Sequence, residues 1–125
     1  MLVRRSARAL LAVVLLLAVA VAAGCEQGVQ TDAVRIFDKP GQPENTWGYD
    51  PKQIRVARGS AVTFTNSGAV FHTVTSDDPG HPFDKGVEPG QWVTIPFDQA
   101  GTFKYHCGVH PDMKGVVHVC DGACR

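Results

Sequence analysis

Tyr105-His106-Cys107-Gly108-Val109-His110-Pro111-Asp112-Met113 opens on the last three residues of an alternating segment, residues 102–107, that sets Phe103, Tyr105 and Cys107 on one face. The nonapeptide therefore begins at the end of a strand, with Cys107 turned toward the core. Gly108 and Pro111 supply the backbone for a tight return. Cys107, His110 and Met113 are spaced C-x2-H-x2-M, and a lone histidine, His72, lies on an earlier apolar segment.

One thiolate, two imidazoles and one thioether make up the ligand set of a blue copper centre. Thiolate is soft and binds Cu(I), imidazole suits both oxidation states, and a weak axial thioether adjusts the potential. His72, Cys107 and His110 are the expected equatorial ligands and Met113 the axial one. His106 points to the opposite face by strand alternation and is read as a non-ligand. His81 in a long loop and His118 near the exterior of the last strand are expected to face solvent.

Outward from that stretch the chain reads as strands. All six Leu fall at positions 2 to 17, whereas 12 Val, 12 Gly and all 8 Pro follow residue 24. That composition opposes helices and favours short strands joined by turns. Seven segments are expected: 34–37, 54–56, 62–64, 70–76, 92–97, 102–107 and 115–120. The turn chemistry of Gly59-Ser60 joins the second and third, as neighbours or as strands of two facing sheets. Together they predict an all-β, antiparallel sandwich of seven to eight strands. Two long connections rich in Pro, Gly and Asp, 38–51 and 77–91, are expected as ordered surface loops, with Trp47 and Tyr49 pinning the first.

The N-terminus is a leader. Residues 1–8 are basic and residues 9–23 form an unbroken apolar run, the length of a signal-peptide core and short of the ~20 residues that span a membrane. The run ends at Ala22-Ala23-Gly24-Cys25, which resembles a bacterial lipobox whose Cys carries lipid; ordinary small-residue cleavage is the alternative. The expected organisation is a signal peptide over 1–24, a lipidated Cys25 and polar tether over 25–33, and one folded domain over 34–125. If Cys25 carries lipid and Cys107 binds metal, Cys120 and Cys124 remain as an even pair suited to a disulfide in an oxidising compartment.

Without Arg4, Arg5 and Arg8 the chain carries 9 basic against 12 acidic residues, with no basic run after the leader. The electrostatic footprint of a nucleic-acid binder is missing. About 100 residues after the leader fold as one domain and are too few for a two-domain enzyme.

Residues 54–119, which are 66 of the 101 after the leader, resemble the plastocyanin/azurin, or cupredoxin, family. The likeness is carried by Val56-Ala57-Arg58-Gly59-Ser60-Ala61-Val62-Thr63-Phe64-Thr65-Asn66, by Phe71-His72-Thr73-Val74, and by Ala100-Gly101-Thr102-Phe103-Lys104-Tyr105-His106-Cys107. The two-residue spacings on both sides of His110 are similar to those of amicyanin. Two positions depart from the pattern. Thr73 stands where those families commonly have an Asn that fastens the first-ligand strand to the Cys segment, and Phe71 stands where they often have Pro.

The resemblance implies a Greek-key sandwich holding one type 1 copper. It further implies a monomeric single-electron carrier, not an enzyme, that shuttles electrons between a redox-protein donor and acceptor. Its expected place is the periplasm or the outer face of the cytoplasmic membrane. An oxidase would need a second copper centre, and no H-x-H pair occurs. A copper-delivery protein is the main alternative. A structural zinc site would leave Met113 unexplained. Val70, Phe71, Val109 and Pro111 form a candidate apolar collar around the edge of His110.

Overall fold

The computed structural model describes residues 26–122 and 124. The leader and Cys25 lie outside the described residues. Among the described residues, ten strands form two sheets. The larger has the order β1 (Val29–Gln30), β4 (Gln53–Ala57), β10 (Lys114–Cys120), β9 (Gly101–His106), β6 (His72–Ser76), β7 (Asp84–Val87). The smaller runs β3 (Gly48–Asp50), β2 (Ala33–Phe37), β5 (Ser60–Asn66), β8 (Trp92–Phe97).

The all-β sandwich read from the sequence is the architecture found, with three additional short strands and mixed pairing. β4 pairs in parallel with both β1 and β10, and β2 in parallel with β5; the other pairs are antiparallel. The reason lies at Gly59. Its φ of +87° turns the chain out of one sheet and into the other, so β4 and β5 face each other across the core instead of forming a hairpin. With its hairpin partner removed, β4 takes β10 beside it.

The three unread strands carry no alternation of their own. β3 buries only Tyr49, β7 buries only Val87, and β1 buries neither of its residues. They join by backbone hydrogen bonding to an existing edge, which needs no apolar pattern. β1 corrects the expected tether: residues 29–33 belong to the folded domain, and the Asp32 carbonyl also accepts from Thr63 N–H at 2.8 Å. Gly28 permits this approach, because its φ is +83° and a Cβ there would lie 2.9 Å from the Gln53 and Ile54 backbone.

The core fills the space between the sheets with Val34, Ile36, Ile54, Val62, Phe64, Val74, Ile95, Phe97, Val117 and Val119, the inward members of alternating strands. Its centre is aromatic. Tyr105 packs edge-on against Tyr49 at 4.7 Å and Phe64 at 5.4 Å between ring centroids. Gly115 sits opposite Tyr105 on β10, and any Cβ there would collide with the phenol ring. His118 is a correction: it is 8% exposed, not solvent-facing. β10 lies inside its sheet, so His118 is flanked by side chains of β4 and β9, and the imidazole contacts Gln53 Oε1 at 3.2 Å and Thr102 Oγ1 at 3.4 Å. Burial lowers its pKa. Near the C-terminus Cys120 and Cys124 are joined as a disulfide with Cα atoms 5.9 Å apart.

Candidate metal centre

Three loops meet at one end of the sandwich. His72 opens β6, placed by the loop that leaves β5 at Asn66. Asn66 is fully buried, donates from Nδ2 to the Val70 and Val87 carbonyls at 2.8 and 2.9 Å, and accepts from Gly68 N–H at 2.9 Å. One side chain thus shapes the turn that delivers His72. Cys107 follows the last residue of β9, and Met113 immediately precedes β10.

The return between them is closed by its own backbone. Cys107 N–H donates to the Met113 carbonyl at 3.1 Å, His110 N–H to the Cys107 carbonyl at 3.3 Å, and Met113 N–H to the His110 carbonyl at 3.0 Å. The spacing of two residues on each side of His110 is what lets these turns interlock.

His72 Nδ1 lies 3.8 Å and His110 Nδ1 3.6 Å from Cys107 Sγ, and the two Nδ1 atoms are 3.2 Å apart. Among the described residues, this is the one group of three or more His, Cys, Asp or Glu side chains close enough to hold a metal ion together. His72, Cys107 and Met113 are fully buried, while His110 is half-buried. Met113 is placed beside the cluster by its two backbone bonds to Cys107 and His110.

Electrostatics favour the thiolate. Burial raises the Cys107 pKa, but hydrogen bonds from His72, from the Thr73 and Val109 N–H groups and from His110 outweigh it and bring the thiol down to about 6. Burial lowers the pKa of His72, yet its contacts with Cys107 and Asp38 raise it on balance. A soft thiolate and two imidazole lone pairs directed at one buried spot fit copper. In that fit, His72, Cys107 and His110 would hold the metal.

Thr73 takes over the fastening expected of an Asn. Its N–H donates to Cys107 Sγ at 3.3 Å, and its Oγ1 accepts from Gly108 N–H at 2.7 Å. The hydroxyl continues to Thr75 Oγ1 at 2.8 Å, which donates to Asp84 Oδ1 at 2.9 Å. A single hydrogen-bonded chain so ties the Cys107 loop to β6 and β7. His106 points away from the cluster and pairs with Asp77. His81 is exposed, with Nδ1 2.7 Å from the Ser76 carbonyl.

Three neighbours of the site make contacts that were not legible in the sequence. Trp47 packs edge-on against both imidazoles, 5.1 Å from His110 and 6.2 Å from His72, and donates from Nε1 to the Lys39 carbonyl at 3.2 Å. Its pinning role was expected; its contact with the ligands was not. The Tyr49 hydroxyl likewise donates to the Thr73 carbonyl at 2.6 Å. Asp38 Oδ2 lies 3.1 Å from His72 Nε2. No motif marks Asp38, an isolated acid in a Pro-rich loop. Of the four residues read as a collar, Val70, Phe71 and Val109 are 36%, 37% and 52% exposed and Pro111 is exposed, so all four reach solvent.

Comparison with known proteins agrees with the geometry. Plastocyanin of Physcomitrium patens is 33% identical over 93 residues, covering 65% of this chain and 55% of that protein. Amicyanin-alpha of Methylorubrum extorquens is 38% identical over 77 residues, covering 57% of this chain and 63% of that protein. The chain thus spans less than two thirds of the length of these two relatives. Among solved structures, a purple cupredoxin from Nitrosopumilus maritimus superposes with a TM-score of 0.63 at 26% identity, over 70% of this chain and 97% of that one. A Cu(I) form of an amicyanin variant superposes with a TM-score of 0.54 at 26% identity, over 73% and 85%. The profile of the cupredoxin-like domain matches residues 8–119, a span that holds all four candidate ligands and every strand of both sheets except the last residue of β10, and the chain belongs to that family.

Proposed function

We propose that the protein is a monomeric single-electron carrier in which His72, Cys107, His110 and Met113 would hold one type 1 copper. The observation that carries this reading is the convergence of two imidazole Nδ1 atoms and one thiolate within 4.8 Å in a largely buried site. When bound, copper supplies a one-electron Cu(II)/Cu(I) couple. The chain supplies the rest. Cys107 is deprotonated at neutral pH, Thr73 and the interlocked loop hold the donors in place, and the protein surrounds three of the four ligands. A site held in this way would accommodate both oxidation states of a bound copper with little movement, which suits transfer of electrons. The half-buried edge of His110, within the collar of Val70, Phe71, Val109 and Pro111, is the route by which electrons reach a redox-protein donor and acceptor.

The leader over residues 1–24 and lipidation of Cys25 would place the domain in the periplasm or on the outer face of the cytoplasmic membrane. Because β1 begins at Val29, only a short segment would separate Cys25 from the sandwich. Cys120–Cys124 as a disulfide accords with an oxidising compartment.

Copper delivery is the competing reading. Hand-over by ligand exchange requires an acceptor to approach the thiolate, and Cys107 is 0% exposed. Protein-film voltammetry combined with a copper-transfer assay separates the two. The carrier reading expects a reversible one-electron wave and no copper loss to an apo-acceptor; stoichiometric loss of Cu(I) to the acceptor would replace it with delivery.

A further inference from the structure

His72 meets a carboxylate on the side away from the cluster. Its Nδ1 faces Cys107 and His110, while its Nε2 lies 3.1 Å from Asp38 Oδ2. Both side chains are sealed from water, at 0% and 1% exposure. Asp38 is held there independently of His72, since the same oxygen accepts from Ala69 N–H at 2.8 Å and Val70 N–H at 3.1 Å. Gly68 completes the cradle, because a Cβ at that position would overlap the carboxylate. The loop that delivers His72 is therefore moored to Asp38 on the far side of the chain.

We propose that Asp38 is a positioning residue that fixes the tautomer of His72, with the proton on Nε2 and the lone pair on Nδ1, and whose buried charge favours the oxidised metal. A ligand histidine whose second nitrogen donates to a carboxylate is oriented and made more basic. A buried negative charge next to a ligand stabilises the more positive state of the couple, with little screening by salt. The effect is a lower reduction potential than the same four ligands would give without Asp38. This inference rests on the copper-carrier reading.

The test is Asp38→Asn. The Asn carbonyl oxygen can retain all three hydrogen bonds of Oδ2, and its amide replaces Oδ1, which has no partner in the structure. Shape and mooring persist while the charge is removed. At a fixed electrode potential, the ratio of reduced to oxidised copper is expected to rise about tenfold, equivalent to about 59 mV upward for one electron. A blue spectrum that is retained together with an unchanged or lowered potential would overturn the proposal.

The wild-type Cu(I) form provides a second measurement that needs no variant. Long-range 1H–15N correlation is expected to show a slowly exchanging proton on His72 Nε2 and none on Nδ1. An unprotonated Nε2 would overturn the proposal even if Asp38→Asn failed to fold. Wild-type protein that showed no thiolate-to-copper band would instead overturn the copper-carrier reading, and this proposal with it.

Discussion

Thr73→Val removes one oxygen while keeping the β-branched shape, and its cost can be worked from the hydrogen-bond chain. Thr75 uses its proton on Asp84, so Thr73 must donate to Thr75 and accept from Gly108 N–H. Valine deletes both bonds and leaves Thr75 Oγ1 without that donor in a half-buried setting. Two lost bonds at roughly 0.5–1.5 kcal/mol each give a destabilisation of about 1–3 kcal/mol. Urea unfolding of the copper-free protein should show the midpoint lowered by about 1 M at unchanged slope, given a slope of roughly 1–3 kcal/mol/M. Amide exchange supplies the specific signature. Gly108 N–H loses protection in Thr73→Val but keeps it in Thr75→Val, which breaks the chain one link further on. A Thr73→Val protein within about 0.5 kcal/mol of wild type, with Gly108 still protected, would refute the assignment of Thr73 as the fastener.

Three further outcomes are expected. The thiol of the copper-free protein should titrate with a midpoint of about 6 by ultraviolet thiolate absorbance, against 9.0 for an ordinary thiol. Because the folded pKa is depressed, the thiolate contributes stability that is complete above pH 9 and is lost as the pH falls through 6. Unfolding curves of wild type and Cys107→Ala should therefore diverge between those values and run parallel below them; parallel curves throughout would contradict the hydrogen-bonded thiolate. Gly115→Ala should cost about 1–3 kcal/mol in thermal unfolding by forcing Tyr105 out of its slot, and an unchanged Tm would place the ring elsewhere. Asn66→Ala strands the Val70 and Val87 carbonyls and should destabilise by roughly 2 kcal/mol or more, with weakened copper retention because the loop to His72 loses its brace; full retention in a chelator challenge would count against that brace.

The metal cluster was legible because its spacing is local: three of the four candidate ligands lie within seven consecutive residues, and alternation alone aimed Cys107 inward and His106 outward. The same logic set Phe103 and Tyr105 of β9 on the face of Cys107. It failed where backbone pairing needs no side-chain pattern, as in β1, β3 and β7, and where burial depends on a strand's neighbours, as for His118. Asp38 and Trp47 reach the histidines across separations of 25 residues and more, through loops whose Pro and Gly mark a turn without saying where it lands. Thr73 shows a third case. Its departure from the family's usual Asn was visible in the sequence, but its continuation through Thr75 to Asp84 required the register of β6 against β7.

The central claim is a thiolate-bound copper that changes oxidation state without leaving the protein. Cu(II) added at one equivalent to the copper-free protein, followed by ascorbate and reoxidation, tests it by visible spectroscopy, with Cys107→Ser as control. An intense blue or purple charge-transfer band that bleaches on reduction, returns on oxidation and is absent from the control is the predicted result. A colourless wild-type complex, or a band that survives in Cys107→Ser, would contradict the account.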